Sequence, residues 1–143
     1  MRALVLGAGA VGTKVAQQLL SSNTVDKIFL RDIAPEKLGI ASKTLGSRVE
    51  VEHFPFPQNM DADVVVVASP RGTQLEAVKK AISLRRPTVV VSDGLSETVS
   101  ILNLEKEAFE LGVPVVVGTG FAPGLSCVLT AYGKTLLLSL IHI

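Results

Sequence analysis

The amino-acid sequence predicts an α/β fold, in which a doubly wound parallel sheet has helices on both faces. Three observations support this prediction. Short aliphatic segments alternate with longer segments of helical character, which is the pattern of repeated strand–helix–strand units. The segment DVVVVAS at 63–69 is apolar at successive positions, as a strand is when helices cover both faces of the sheet. The first predicted strand runs directly into the glycine-rich turn GAGAVG at 7–12.

The elements of the first half follow in order. The apolar run ALVLG at 3–7 is the first strand, and the segment over about 11–21 is a helix. KIFLRD at 27–32 is the second strand. Pro35 suits the first turn of the next helix, which runs through PEKLGIASKTL, because proline lacks the N–H that this turn leaves unpaired. RVEVEHF at 48–54 alternates in polarity and predicts a third strand near a sheet edge.

The second half continues the same alternation. A helix over about 72–84 precedes the strand PTVVVSD at 87–93. A single helix over about 97–111 ends at Gly112, a residue typical of helix C-termini. PVVVG at 114–118 is the last clear strand. Since crossovers between parallel strands are right-handed, these elements predict one Rossmann-type domain.

Composition and charge exclude several classes of protein. Hydrophobic residues make up 48% and charged residues 19%, which favours a folded domain over a disordered chain. With 14 basic and 13 acidic residues, and no aromatic residues interleaved with the basic ones, the sequence predicts no nucleic-acid partner. The longest aliphatic runs are too short to span a bilayer, so we expect no membrane as a partner. We also expect no bound metal. Cys127 is the only cysteine, which excludes an internal disulfide and favours a reducing cytoplasm.

Gly7, Gly9 and Gly12 form the pattern G-x-G-x-x-G between a strand and a helix. In this pattern the first glycine permits a tight turn and the second lets a pyrophosphate approach the backbone. The third lets the helix pack closely against the sheet. Ala10 and Val11 lie at the beginning of that helix, where unpaired N–H groups and the helix dipole favour an anion. We therefore predict that these residues bind a dinucleotide.

Asp32 indicates which dinucleotide to expect. It lies 32 − 12 = 20 residues after Gly12, at the end of the second predicted strand, where a carboxylate accepts hydrogen bonds from the adenosine ribose. A 2′-phosphate would meet the negative charge of this carboxylate, so Asp32 favours NAD over NADP. Arg31 and Lys37 lie close enough to keep NADP open as the alternative. A simpler alternative is that the glycines form an ordinary turn and Asp32 caps the next helix.

The loops after the later strands should complete the site, because ligands of open α/β sheets lie across the carboxyl ends of the strands. These loops are ASPRG at 68–72, SDGLS at 92–96 and GTGFAPGLS at 118–126. We predict that Ser69 and Pro70 line the ribose and nicotinamide side of the site. The alternative is that they are ordinary turn residues.

The motif GFAPG at 120–124, with VLGAGAVG at 5–12 and Asp-Val-Val-Val at 63–66, resembles the dinucleotide-binding half of the saccharopine dehydrogenase-like family. The resemblance spans residues 2–133, and lysine 6-dehydrogenase-type members are the most similar. It implies a CH–NH oxidoreductase, which transfers a hydride between a nicotinamide cofactor and an amino-acid-derived amine or imine. It also places three residues beside the nicotinamide pocket: Gly120, Pro123 and Gly124.

Two positions depart from the family pattern. Members often carry an acidic residue in place of Ala122, and Asn, His or a similar group in place of Cys127, which leaves the substrate open. We predict that Cys127 is a small buried hydrophobic residue at the start of a helix. No residue is nominated as catalytic, and we expect His53 at the surface, away from the cleft.

Family members continue into a substrate-binding domain, whereas KTLLLSLIHI follows here. We therefore expect residues 1–137 to be an NAD(P)-binding domain that is cut before its substrate domain. Residues 138–143 match the translation of a transposon end used in sequencing libraries, and we interpret them as a non-native tail; the alternative is an apolar C-terminal helix. The chain alone should bind NAD(H) without turnover, and its full-length parent should act on a small amino-acid substrate. Whether it is a homo-oligomer is left open.

A binding protein of a different class is the main alternative. Stand-alone Rossmann modules that regulate potassium transport sense NAD or ATP, and they share the glycine-rich turn and the acidic residue. Such a chain would be complete and would act as a switch without chemistry. The sixth strand and GFAPGLS at 120–126 speak against this alternative. A reductase of the same architecture with another substrate, such as a polyamine-forming enzyme, is a further alternative.

Overall fold

The computed structural model describes residues 1–53 and 60–136. Within these residues the chain forms six strands and six helices. In chain order they are β1 (Arg2–Leu6), α1 (Ala10–Leu20), β2 (Lys27–Asp32), α2 (Pro35–Leu45), β3 (Val49–His53), β4 (Val64–Val67), α3 (Gln74–Ser83), β5 (Thr88–Val90), α4 (Leu95–Leu102), α5 (Glu105–Leu111), β6 (Val115–Val117) and α6 (Leu125–Leu136). The predicted strands are all present. The last residue of the predicted third strand and the tail at 138–143 lie outside the described residues.

The strands form one sheet in the order β3-β2-β1-β4-β5-β6, and every neighbouring pair is parallel. This order confirms the Rossmann-type prediction and places β3 at an edge, as expected. From β1 the chain first winds toward β3 and then returns to β4 on the other side. The carboxyl ends of β1 and β4 therefore flank a crevice, where ligands of such sheets bind.

Two apolar layers hold the helices against the sheet. In β1, Ala3 and Val5 belong to the layer beneath α1 and α2, whereas Leu4 and Leu6 belong to the layer beneath α3, α4 and α5. The two sets alternate because successive side chains of a strand point to opposite faces. Both layers are aliphatic, and together they hold the carboxyl ends of the strands in place beneath the candidate site.

The prediction of a single helix over 97–111 is wrong, because the structure has two helices there, α4 and α5. At the junction the N–H of Leu104 donates to the carbonyl of Ile101, a tighter bond than an α-helix makes. Ile101 and Ala108 are buried in the same apolar layer, and Leu104 packs against it. The bend thus lets both helices face the sheet. The segment contains no glycine or proline at the junction, so its sequence carries no local signal of the break.

α6 differs from the other helices, because none of its described residues is buried. Cys127, in its first turn, is exposed. The prediction of a buried cysteine is therefore wrong, since the helix that carries it covers no apolar layer in the described part of the chain. Among the helices described, none is long and apolar enough to cross a membrane.

Candidate functional site

The glycine turn between β1 and α1 is built from close backbone contacts. Gly7 has φ +103°, and a Cβ there would lie 2.5 Å from the carbonyl oxygen of Ala68. A Cβ at Gly12 would lie 1.8 Å from the carbonyl oxygen of Gly7. A Cβ at Gly9, in contrast, would meet no protein atom within 4 Å. Gly7 and Gly12 are thus required for packing, whereas Gly9 borders open space.

The N-terminus of α1 faces this space. Gly9 is the residue before the helix, and it makes no side-chain cap; the first turn contains no acidic residue. The first N–H groups of a helix have no partner within it, and the helix dipole makes this end positive. Ala10 and Val11 lie in that first turn. The turn and the helix end together form a place where a phosphate group could bind.

Asp32 is held against the glycine turn by its carboxylate. Its Oδ2 accepts a hydrogen bond from the N–H of Ala8 at 2.7 Å, and its Oδ1 accepts one from the N–H of Ala34 at 2.8 Å. The bond to Ala34 resembles the capping alternative, but Ala34 is the residue before α2, so the N–H that Asp32 accepts is not one of the helix's own. The bond to Ala8 joins β2 to the turn. Each carboxylate oxygen keeps a second lone pair that can accept a ribose hydroxyl.

The basic residues that kept NADP open are placed differently from one another. The guanidinium of Arg31 contacts the carboxylate of Glu52 at 2.7 Å, and its side chain is only 13% exposed. Arg31 and Glu52 line a small cavity on the face of Leu4 and Phe29. The charge of Arg31 is therefore paired within the sheet, between β2 and β3, whereas Lys37 is exposed in the first turn of α2.

His53 is exposed, but it lies nearer to the candidate site than expected. It pairs with Asp32 in the register of β2 and β3, and its Nε2 lies 2.9 Å from the carbonyl oxygen of Ile33. It does not line the cleft described below, but it lies beside Asp32, which the sequence predicts to hold the ribose. The reason is the parallel pairing, which brings the ends of β2 and β3 to the same edge of the sheet.

A cleft of about 510 Å³ opens at the carboxyl ends of β4, β5 and β6, beside the start of α1. Four of the predicted site residues line it: Val11, Ser69, Pro70 and Gly120. Its other lining residues are Ala68, Arg71, Gln74, Val91, Ser92, Asp93, Phe121 and Ala122. The structure thus brings the start of α1 and the three loops after the later strands to one cavity.

Pro123 and Gly124 shape this cleft without lining it. Gly124 has φ +128°, and a Cβ there would lie 2.2 Å from the carbonyl oxygen of Gly120. The ring of Pro123 packs against Gly118, where a Cβ would lie 3.2 Å from its Cγ. The peptide bond before Pro123 is cis. These contacts fold the loop so that Gly120, Phe121 and Ala122 form the wall.

Residues that sequence reasoning missed complete the cleft. Arg71 and Asp93 form an ion pair at 2.8 Å, and both side chains are largely exposed. Hydrogen bonding between them lowers the pKa of the Asp93 carboxyl and raises the pKa of the Arg71 guanidinium. Gln74 is buried, with only 3% of its surface exposed. All three lie in or beside loops that the sequence marked as site loops, but no spacing pattern distinguishes them.

Glu97, on α4, is another missed residue, and it caps α3 from outside. Its carboxylate accepts hydrogen bonds from the N–H groups of Gly72, Gln74 and Leu75 at 2.8, 2.9 and 3.1 Å. These groups would otherwise lack partners at the start of the helix. Glu97 thus joins α4 to the loop that forms one side of the cleft.

Glu97→Ala is expected to lower the free energy of unfolding by about 1–2 kcal/mol, because three N–H groups lose a charged acceptor. Chemical denaturation followed by circular dichroism measures this change. Glu107→Ala is the matched control, since Glu107 is exposed in the first turn of α5. Equal losses in the two variants would contradict the capping role.

The sheet order, the glycine turn and the acid at the end of β2 together define the architecture of a Rossmann-type dinucleotide-binding fold. No family model matches the chain. It is 29% identical over 140 residues to a glycerol-3-phosphate dehydrogenase [NAD(P)+] of Saccharophagus degradans, covering 82% of this chain and 37% of that protein.

Solved structures of oxidoreductases share the fold. Saccharopine dehydrogenase (L-Glu forming) of Saccharomyces cerevisiae is similar with a TM-score of 0.74 and 20% identity, covering 94% of this chain and 31% of that one. GenD2 from gentamicin A biosynthesis, solved in complex with NAD, is similar with a TM-score of 0.63 and 23% identity. The match covers 82% of this chain and 34% of GenD2. The chain thus spans about a third of the length of these proteins.

Proposed function

We propose that the chain is the NAD(H)-binding domain of an oxidoreductase that acts by hydride transfer. One observation carries this proposal: Asp32 is bonded to Ala8 at 2.7 Å, beside a turn whose middle glycine borders open space. A carboxylate held at this point can accept ribose hydroxyls while the turn and the start of α1 bind the pyrophosphate. The similar proteins support the proposal, because two are named as dehydrogenases, one of them with NAD(P)+ in its name, and GenD2 was solved in complex with NAD.

Each part of the site has a binding role in this proposal. Gly9, Ala10 and Val11 would contact the pyrophosphate, and Asp32 would hold the adenosine ribose and disfavour a 2′-phosphate. The cleft at Ser69, Pro70 and Gly120 would hold the nicotinamide half, with Pro123 and Gly124 supporting its wall. When bound, the nicotinamide ring would accept or donate the hydride. The cleft walls would orient that ring and exclude water from it.

The substrate class is a finer proposal. The motifs that resemble the saccharopine dehydrogenase-like family support an amino-acid-derived amine or imine, and so does the shared fold with saccharopine dehydrogenase. Lysine 6-dehydrogenase-type members remain our prediction for the most similar enzymes. The name of the curated relative supports an alcohol substrate as the competitor. Dehydrogenase assays of the full-length parent protein would distinguish the two substrate classes. Turnover of lysine or saccharopine would support the amine or imine, and turnover of glycerol 3-phosphate would support the alcohol.

The extent of the domain is also a proposal. We propose that residues 1–137 form the cofactor domain of a longer cytoplasmic enzyme and that 138–143 are not native. The short share of each similar protein that the chain covers supports the first part of this proposal, a cofactor domain of a longer enzyme, as does α6, which buries no described residue. The isolated chain should then bind NADH and show no dehydrogenase turnover. The nucleotide-sensing module remains the alternative, and tight ATP binding by the isolated chain would favour it.

Asp32→Ala tests the cofactor proposal directly. We expect wild-type chain to bind NADH more tightly than NADPH in isothermal titration calorimetry, and the variant to bind NADH at least about tenfold more weakly because charge-assisted ribose bonds are lost. The affinity for NADPH should change less, because the variant also loses the repulsion between the Asp32 carboxylate and the 2′-phosphate. Glu36→Ala is the control, because Glu36 is also acidic and lies exposed in the first turn of α2. Wild-type chain that binds neither dinucleotide would refute the proposed function.

A further inference from the structure

Gln74 is a buried polar residue that joins two loops. It is 3% exposed, at the beginning of α3. Its Nε2 donates to the carbonyl oxygen of Ser69 at 2.8 Å and to that of Val91 at 3.2 Å. Ser69 follows β4 and Val91 follows β5. One side-chain amide therefore ties together the carboxyl ends of two adjacent strands.

Both carbonyls belong to residues that line the 510 Å³ cleft. On the β4 side, the loop is already fixed to the glycine turn, because Gly7 approaches Ala68 more closely than any side chain would allow. The ends of β4 and β5 are joined by the hydrogen bond from the N–H of Val91 to the carbonyl of Val67. Gln74 adds a side-chain link just beyond this bond, and so helps to hold the two loops at a set distance from each other.

Helix capping does not explain the residue. The N–H groups at the start of α3, including that of Gln74, are bonded to the carboxylate of Glu97. The side-chain amide is directed instead toward the strand ends. Among the described residues its Oε1 is buried without a hydrogen-bond partner, which costs free energy. The amide cannot avoid this by flipping, because its oxygen would then face two carbonyl oxygens.

We propose that Gln74 is a positioning residue for the nicotinamide half of the bound dinucleotide. It acts through the carbonyls of Ser69 and Val91, whose separation determines how the nicotinamide ring fits between the loops. The inference rests on the proposed function, since it assumes that the cleft holds this ring. The adenosine half, held at Asp32 and the glycine turn, does not depend on Gln74.

The test compares NAD⁺ with ADP-ribose, which lacks the nicotinamide ring. Gln74→Met keeps the volume of the side chain and removes both donors. We expect its NAD⁺ affinity to fall about fivefold and its ADP-ribose affinity to stay within about twofold, both measured by calorimetry on the full chain. Gln17→Met is the matched control, because Gln17 is exposed on α1 and bonds only to Lys14 among the described contacts. It should leave both affinities unchanged.

Each outcome decides the matter. A selective loss of NAD⁺ affinity supports the inference. Equal losses for both ligands, or no loss for either, would show a merely structural residue and overturn it while the proposed function stands. Wild-type chain that binds neither ligand overturns both proposals. If Gln74→Met does not unfold cooperatively, Gln74→Leu replaces it, since leucine also lacks the two donors, buries no charge, and is expected to give the same selective loss.

Discussion

Gly12→Ala is expected to lower the free energy of unfolding by about 3 kcal/mol or more, which is a large part of the stability of a domain of this size. The added Cβ would lie 1.8 Å from the carbonyl oxygen of Gly7 and 2.9 Å from its carbonyl carbon. These atoms cannot easily move away, because the N–H of Gly7 donates to the carbonyl of Arg31 at 2.8 Å and ties the turn to β2. α1 would have to separate from the sheet. Urea unfolding followed by circular dichroism measures the loss.

Gly39→Ala is the control for this variant. Gly39 lies inside α2, and a Cβ there would meet no atom within 4 Å. Alanine has the higher helix propensity, so this substitution should raise the free energy of unfolding by about 0.5–1 kcal/mol. If Gly12→Ala were as stable as Gly39→Ala, α1 would not pack against the turn as closely as the structure shows.

Gly9→Ala is expected to weaken dinucleotide binding strongly without unfolding the domain. The backbone of Gly9, at φ −74° and ψ −172°, is one that alanine adopts readily, and the new Cβ would meet no protein atom within 4 Å. The methyl group would instead occupy the space where we propose that the pyrophosphate lies. We expect NADH to bind at least about thirtyfold more weakly, because the phosphate can no longer reach the N–H groups of α1.

Calorimetry with NADH and a thermal unfolding curve measure the two effects on the same sample. The unfolding midpoint should shift by only a few degrees at most, since only a weak preference at the helix start is lost. Gly39→Ala again serves as control and should bind NADH like the wild-type chain. Unchanged NADH affinity in Gly9→Ala would show that the pyrophosphate does not lie at this turn.

Much of the fold was predictable because its signals are local. The order of strands and helices followed from hydrophobic runs of strand length and from segments of helical period, with Pro35 and Gly112 at the ends of helices. The doubly wound class then followed from the handedness of parallel crossovers, which does not by itself decide which strands are neighbours. The break between α4 and α5 could not be predicted, since it depends on how Ile101 and Ala108 reach one apolar layer.

For the candidate site, the sequence alone determined the backbone part: the glycine turn, the acid at the end of β2 and the loops that meet at the carboxyl edge. These depend on backbone geometries that few residue types can adopt, at spacings set by one strand and one helix. Only the tertiary structure decided which side chains contact the loops at that edge of the sheet. It directed Arg31 to Glu52, left Cys127 exposed, and brought Gln74 and Glu97 to the cleft loops. Apart from the bond between Gln74 and Ser69, these contacts join residues that are far apart in the chain, so only the packing of the elements brings them together.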